Sequence, residues 1–195
     1  MDALKEAMDL GLTSAVGVSN YSKDQMEEAH AILAASGIPL ASNQIKYSLL
    51  DRKAEKDGLV QSGKDLDIAI VAYRCVSPLP PPLPSVGPSS HRPSLSSRLS
   101  HSPLEGGKLT SGGTRKDPRN EKLAELLKLM EFVGVVNGGK SVSQVALNYI
   151  VTKGLLPIPA AKTEAQAREH AGAMGWSMDD NEVSLLEEKL EYLGL

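Results

Sequence analysis

Polar side chains recur where short apolar runs end. Ser19 and Asn20 follow the run from Ser14 to Val18, Asn43 and Gln44 lie within Leu40 to Tyr47, and Tyr73 closes Ile68 to Ala72. Further along, Ala160-Ala161-Lys162-Thr163 joins the run from Leu155 to Pro159 to a helical stretch. Amide side chains can hold a carboxamide, a tyrosine ring can stack on a flat heterocycle, and a lysine beside a helix N-terminus can hold a phosphate. Together these groups describe a nucleotide site. The same residue types also cap and pack strand ends, and residue type alone does not separate the two roles.

A second candidate is Gly134-Val135-Val136-Asn137-Gly138-Gly139-Lys140-Ser141, which fits the P-loop spacing of a glycine, four residues and Gly-Lys-Ser. Such a loop cradles phosphates on backbone N–H groups, with Lys140 on the terminal phosphates. It requires a buried strand directly before it, whereas Glu121 to Glu131 is rich in Leu, Lys and Glu and reads as a helix. The competing reading is a helix stop at Gly138-Gly139 and a new helix start at Ser141. His30, His91, His101 and His170 are scattered without zinc-ligand spacing, and neither G-x-S-x-G nor a Cys/His couple occurs. Hydrolase chemistry and a metal site have no support.

The elements that must position these residues alternate. Ser14 to Ser19 reads as a strand, and Lys23 to Ser36 as a helix with Met26, Ala29, Ile32 and Leu33 at helical spacing, stopped by Gly37. Leu40 to Tyr47 predicts a second strand, Asp51 to Lys64 a helix interrupted by Gly58, and Ile68 to Tyr73 a strand apolar on both faces. Helices are predicted over Asn120 to Val133, over Ser141 to Lys153, from Glu164 behind a Thr163 cap, and from about Asp179 to Tyr192. A short strand is predicted over Leu155 to Pro159. Repeated βα units imply a parallel sheet. A closed (β/α)8 barrel takes about 250 residues, so four strands in 195 residues predict half a barrel. An open doubly wound sheet is the alternative, but its glycine-rich dinucleotide turn is absent.

Composition narrows the partners. With 41% hydrophobic and 23% charged residues the chain is of ordinary soluble composition, and no apolar run is long enough to span a bilayer. A net charge of −3 gives no general attraction to nucleic acid. One cysteine, Cys75, forms no internal disulfide, and no targeting segment is visible, so an intracellular, soluble protein is expected, with cytoplasm and plastid equally open. The stretch 74–101 breaks this pattern: it holds seven of the twelve prolines and no Asp or Glu. It reads as polyproline II or disorder, dividing the chain into 1–73, 74–101 and 102–195.

The sequence resembles the C-terminal half of an aldo-keto reductase of the plastid or bacterial type, that is, strands 5 to 8 of a (β/α)8 barrel. The resemblance rests on Ala15-Val16-Gly17-Val18-Ser19-Asn20-Tyr21-Ser22, Asn43-Gln44-Ile45-Lys46-Tyr47-Ser48 and Val71-Ala72-Tyr73. It continues through Ser102-Pro103-Leu104, Gln144-Val145-Ala146-Leu147-Asn148-Tyr149 and Ile158-Pro159-Ala160-Ala161-Lys162-Thr163, with Gln166 and Glu169. It implies an NADP(H)-dependent reductase of a small aldehyde or ketone. On this resemblance Ser19, Asn20 and Gln44 hold the nicotinamide carboxamide and Tyr73 stacks under the ring. Ser102 and Leu104 line the pyrophosphate, and Lys162, Gln166 and Glu169 hold the adenosine end with its 2′-phosphate. Two positions depart: His170 replaces the usual Asn, yet can still donate to adenine, and Ala160 replaces the usual Gly. The family reads Tyr followed directly by Ser-Pro-Leu, so removing 74–101 restores the pattern and a translated intron is the expected origin of that stretch. The resemblance also implies that the catalytic Asp, Tyr, Lys and His belong to the first four strands, so no catalytic residue is assigned. A binding-only remnant is the alternative, and a P-loop protein a more distant one.

Overall fold

A computed structural model of the protein describes residues 1–76 and 118–195. Its elements are α1 (Asp2–Asp9), β1 (Val16–Ser19), α2 (Lys23–Ala34), β2 (Leu40–Lys46), α3 (Lys53–Lys56), α4 (Leu59–Asp65) and β3 (Ala69–Tyr73). After the undescribed stretch come α5 (Pro118–Val136), α6 (Val142–Thr152), β4 (Leu156–Pro157), α7 (Glu164–Ala171) and α8 (Asp180–Leu193).

All described strands are parallel and lie in the order β1-β2-β3-β4. Consecutive order without reversal is the order of a barrel segment; a doubly wound sheet reverses at its switch point. The predicted half-barrel is therefore the fold found.

Local chemistry sets the boundaries. Ser22 caps α2 and Gln25 returns the bond to the cap backbone, while Met26, Ala29 and Leu33 bury one stripe. Ser141 with Gln144, and Asp179 with Glu182, build the same capping box on α6 and α8. The helix predicted over Asp51 to Lys64 is two short helices, because Gly58 takes a left-handed φ of 75° that an α-helix cannot contain. Strand β4 has only two residues, shorter than the predicted run from Leu155 to Pro159.

The strand predicted to be apolar and buried on both faces differs from expectation. Ile70 and Ala72 of β3 are buried, whereas Ala69 is exposed and Val71 and Tyr73 only half-buried. In β2, Asn43 and Ile45 are buried while Gln44 is half-buried and Lys46 exposed. Among the described residues, α2 packs on β2, α4 on β3 and α6 on β4, covering one sheet face. The other face carries Gln44 and Tyr73.

Beneath the covered face a polar network joins α3, α6 and α8 to the residue that follows β2. The Tyr47 hydroxyl donates to Glu55 at 2.9 Å and the Tyr149 hydroxyl to Glu187 at 2.7 Å. Lys153, which closes α6, pairs with both Glu55 and Glu187. Both tyrosines are fully buried. Cys75, inside the predicted 74–101 stretch, is also buried and lines a small apolar cavity of about 30 Å³ with Leu49, Leu126 and Met130. The rest of that stretch, from residue 77 on, lies outside the described residues.

Candidate cofactor site at the strand ends

Parallel register brings the polar strand ends together. Ser19 lies opposite Gln44, and Tyr73 lies opposite Lys46, two residues past Gln44. At the end of β1 the backbone turns through Asn20, whose φ of 59° is left-handed, a conformation that asparagine tolerates better than most residues. The turn is fixed by the Asn20 N–H donating to the Gln44 carbonyl at 2.8 Å. The Ser19 hydroxyl donates to the same carbonyl at 3.1 Å. The Asn20 side chain donates to Ser19 Oγ at 3.3 Å, and its Oδ1 accepts the Tyr73 hydroxyl at 2.9 Å. Ser19, Asn20, Gln44 and Tyr73, far apart in sequence, thus form one cluster on the rim at the C-terminal ends of the strands.

Asn43, placed by the sequence among the amides of the nucleotide site, turns inward and has a structural part instead. Asn43 is fully buried, and its amide accepts the Tyr21 N–H at 3.4 Å and donates to the Tyr21 carbonyl at 3.0 Å. It holds the loop after β1 in the form that presents Asn20. The signal was present in the sequence, since an amide occupies a core-facing position of an otherwise alternating strand.

The second group sits where β4 leads into α7. The Ile158 N–H donates to the Ala72 carbonyl at 3.0 Å, which continues β4 beside the end of β3 and so places the following loop on the rim that carries Tyr73. Thr163 caps α7 by accepting the Gln166 N–H at 3.2 Å, and the Gln166 side chain accepts the Lys162 N–H at 2.8 Å. Lys162 and Gln166 therefore flank an exposed helix N-terminus, where the macrodipole favours anions. Glu169 lies three residues further along α7 and turns to α6: its carboxylate accepts the Ser141 hydroxyl at 2.9 Å and its carbonyl accepts from Gln144 at 2.9 Å. His170 is half-buried, and its Nδ1 is a buried atom with no hydrogen-bond partner among the described residues. Ser102 and Leu104 lie outside the described residues.

The P-loop reading is overturned. Gly134 lies inside α5, not after a strand. It is buried so tightly that a Cβ there would come within 2.1 Å of the Lys140 carbonyl oxygen. Gly138 and Gly139 take left-handed φ of 81° and 79° and end α5, and the Gly139 and Lys140 N–H groups are spent on the Gly134 carbonyl. Lys140 lies over the Trp176 ring at 5.6 Å. The segment is a helix–helix turn with its N–H groups already bonded, so it offers no phosphate cradle.

Comparison with known proteins agrees with the geometry. The sequence pattern of the aldo/keto reductase family matches residues 1–79 and 97–191. The chain is 33% identical over 186 residues to the chloroplastic pyridoxal reductase of Arabidopsis thaliana, covering 95% of this chain and 46% of that protein. It is 28% identical to a probable pyridoxal reductase 2 of Schizosaccharomyces pombe, covering 98% of this chain and 54% of that protein. The chain thus spans about half the length of the curated relatives it matches. A crystal structure of an aldo-keto reductase of the silkworm Bombyx mori with NADPH superposes with a TM-score of 0.61 at 25% identity, over 95% of this chain and 45% of that one. A four-stranded segment of parallel barrel, its rim polar in the family's order and its matched residues running almost end to end, has one reading: the chain belongs to the aldo/keto reductase family.

Proposed function

We propose that the chain carries the cofactor-binding half of an NADP(H)-dependent carbonyl reductase. The observation that carries this reading is the rim cluster in which Tyr73 presents a half-buried ring bonded to the Asn20 amide, with Gln44 two register positions before Tyr73 on the neighbouring strand, on the rim that also bears the α7 N-terminus. The donor set fits a nicotinamide dinucleotide phosphate. Asn20 and Gln44 offer both amide donors and acceptors for a carboxamide, Tyr73 a flat face, and Lys162 with α7 a positive end for a phosphate. The unpartnered Nδ1 of His170 adds a buried polar atom that an adenine edge would satisfy. When bound, NADPH supplies a hydride for the carbonyl carbon. The chain's own residues bind and orient: Ser19, Asn20 and Gln44 fix the carboxamide, and Tyr73 supports one face of the ring. Lys162, Gln166 and His170 hold the adenosine end, joined by Glu169 through the carboxylate oxygen that Ser141 does not occupy, with Ser102 and Leu104 beside the pyrophosphate.

A proton donor is not among these residues. Tyr47 and Tyr149 lie on the covered side of the sheet, and burial, with the Glu55 and Glu187 carboxylates beside them, pushes both hydroxyls well above the ordinary tyrosine range. Weak acids with no exposed surface cannot protonate a substrate oxygen. Because the family resemblance puts the catalytic acid in the first four strands, and neither buried tyrosine replaces it, the 195-residue chain alone is expected to bind NADPH without turnover. Pyridoxal is the first substrate to assay on a chain that also carries the preceding βα units, given the names of the two relatives. Fluorescence titration of the 195-residue chain with NADPH tests the binding half of the reading, and saturable binding is expected. No binding up to millimolar NADPH would sink it, and pyridoxal-dependent NADPH oxidation by this chain alone would sink the claim that it lacks the acid.

We also read 74–101 as translated intron. The family pattern leaves residues 80–96 unmatched, which supports foreign sequence in the middle of that stretch, while its match through 74–79 favours an alternative left junction at Ser77-Pro78-Leu79. Sequencing transcripts across the codons for Tyr73 and Ser102 is expected to give a direct junction, and a spliced transcript that keeps the codons for 74–101 would overturn it. The burial of Cys75 tests the left boundary: if deletion of 80–96 gives a more stable chain than deletion of 74–101, the boundary lies after Cys75.

A further inference from the structure

We infer that the Tyr73 hydroxyl is a positioning group that acts only through Asn20, so that the ring platform and the amide beside it are set as one unit before any ligand arrives. The inference rests on the cofactor site proposed above and adds a specific coupling within it.

Neighbouring strands lie about 4.8 Å apart, so the ends of β1 and β3 are separated by roughly 10 Å with β2 between them. The hydrogen bond from the Tyr73 hydroxyl to Asn20 Oδ1 crosses that gap at 2.9 Å. It continues as a directional chain, in which Asn20 Nδ2 donates to Ser19 Oγ at 3.3 Å and the Ser19 hydroxyl donates to the Gln44 carbonyl at 3.1 Å. Every group in the chain is used in the sense its chemistry allows: one phenol donor, one amide acceptor, one amide donor and one hydroxyl serving as both. The left-handed backbone of Asn20 makes the chain possible, because the turn it produces is held by the Asn20 N–H on the Gln44 carbonyl, the carbonyl on which the side-chain relay also ends. The Asn20 amide is thus fixed at both ends, and the tyrosine ring is fixed at its far end as well as at its Cα. A preorganised site loses less rotamer freedom when a ligand binds.

The experiment is a double-mutant cycle on the 195-residue chain, with Tyr73→Phe, Asn20→Gly and the pair, titrated with NADPH and separately with adenosine 2′,5′-bisphosphate. Glycine keeps the left-handed turn at position 20 while removing the acceptor. Tyr73→Phe keeps the stacking face and is expected to weaken NADPH binding about five-fold, the worth of one ordinary hydrogen bond. In the Asn20→Gly background the same change is expected to have no effect, the coupling signature of a group that acts through its neighbour. Adenosine 2′,5′-bisphosphate affinity is expected to stay unchanged throughout. Unaltered NADPH affinity in Tyr73→Phe overturns the inference. So does an equal loss in both backgrounds, which would put the hydroxyl directly on the ligand, and so does a parallel loss for the bisphosphate, which would mean a general structural defect. Failure of the unsubstituted chain to bind NADPH would remove the proposed function itself and this inference with it.

Discussion

The Tyr149 hydroxyl donates to Glu187 Oε1 at 2.7 Å, and that same oxygen receives Lys153 Nζ at 2.8 Å, so α6 and α8 are locked by one shared acceptor. Glu55 repeats the arrangement on the other side, accepting Tyr47 and pairing with Lys153. The two tyrosines seal the network from below, and Lys153 stands between the carboxylates.

This network predicts an asymmetric pH profile of stability. Burial alone would raise the Glu187 carboxyl, but the hydrogen bonds from Lys153 and Tyr149 outweigh it and hold the group below its ordinary value of 4.5. Its contribution is therefore full above pH 4.5 and is lost as pH falls through the lowered folded value. Burial would lower Lys153, yet Glu187 and Glu55 hold it above 10.5, while burial first, and then the neighbouring charges, push Tyr47 and Tyr149 above 10.0. Those contributions are full below about pH 10 and are lost as pH rises through the raised folded values. Thermal melts between pH 3 and 12 are expected to show a plateau with falls at both ends. In Glu187→Gln the acid fall should shrink, and an unchanged acid limb would show that Glu187 does not carry it.

Asn148 predicts a large local penalty. It is fully buried, donates to the Ala173 and Trp176 carbonyls at 2.9 and 2.8 Å, and accepts the Met178 N–H at 3.0 Å, so one side chain satisfies three backbone groups of the turn between α7 and α8. Asn148→Ala would leave these backbone groups unpaired, at a cost of about 2–4 kcal/mol. Urea unfolding is the check, and a loss below about 1 kcal/mol would mean that water replaces the amide.

Gly134→Ala separates the helix-turn reading from a phosphate loop. With the Lys140 carbonyl oxygen only 2.1 Å from the position of an added Cβ, the backbone has to move. The variant should lose upwards of about 2 kcal/mol of stability. Lys140→Ala is expected to lose only its contact with Trp176 and to leave the melting temperature unaffected by added ATP and magnesium, as in the unsubstituted chain. Thermal protection by ATP that depends on Lys140 would restore the phosphate-loop reading.

At position 20 the left-handed turn predicts an order of tolerance. Asn20→Gly keeps the backbone conformation, whereas Asn20→Val places a β-branched residue at a φ of 59° and should be less stable than the glycine variant by about 1–2 kcal/mol. Both variants lose the bond to Tyr73, so their difference isolates the backbone. Equal melting temperatures would mean that the turn relaxes to negative φ.

The sequence by itself determined whatever depends on neighbours a few residues apart. The Ser22, Ser141, Thr163 and Asp179 caps, the interruption at Gly58 and the stop at Gly138-Gly139 are all local hydrogen bonding or helical spacing and appear where the residues put them, and of the predicted stripe Met26, Ala29 and Leu33 are buried while Ile32 is exposed. The parallel sheet was likewise legible, because repeated βα units require it, and the family pattern was legible in the quoted motifs, whereas the sheet order without reversal is read from the structure. Only the tertiary structure decided which side chains meet across strands. That Tyr73 reaches Asn20 over β2 depends on the register of three strands and on a left-handed turn, neither of which has a local cause at Tyr73. The same holds for Glu169 turning to Ser141 and for Lys153 joining two carboxylates from α3 and α8. It also decided that β3, apolar along its length, is covered on one face among the described residues, since hydrophobicity tells that a strand can be buried and packing alone tells against what.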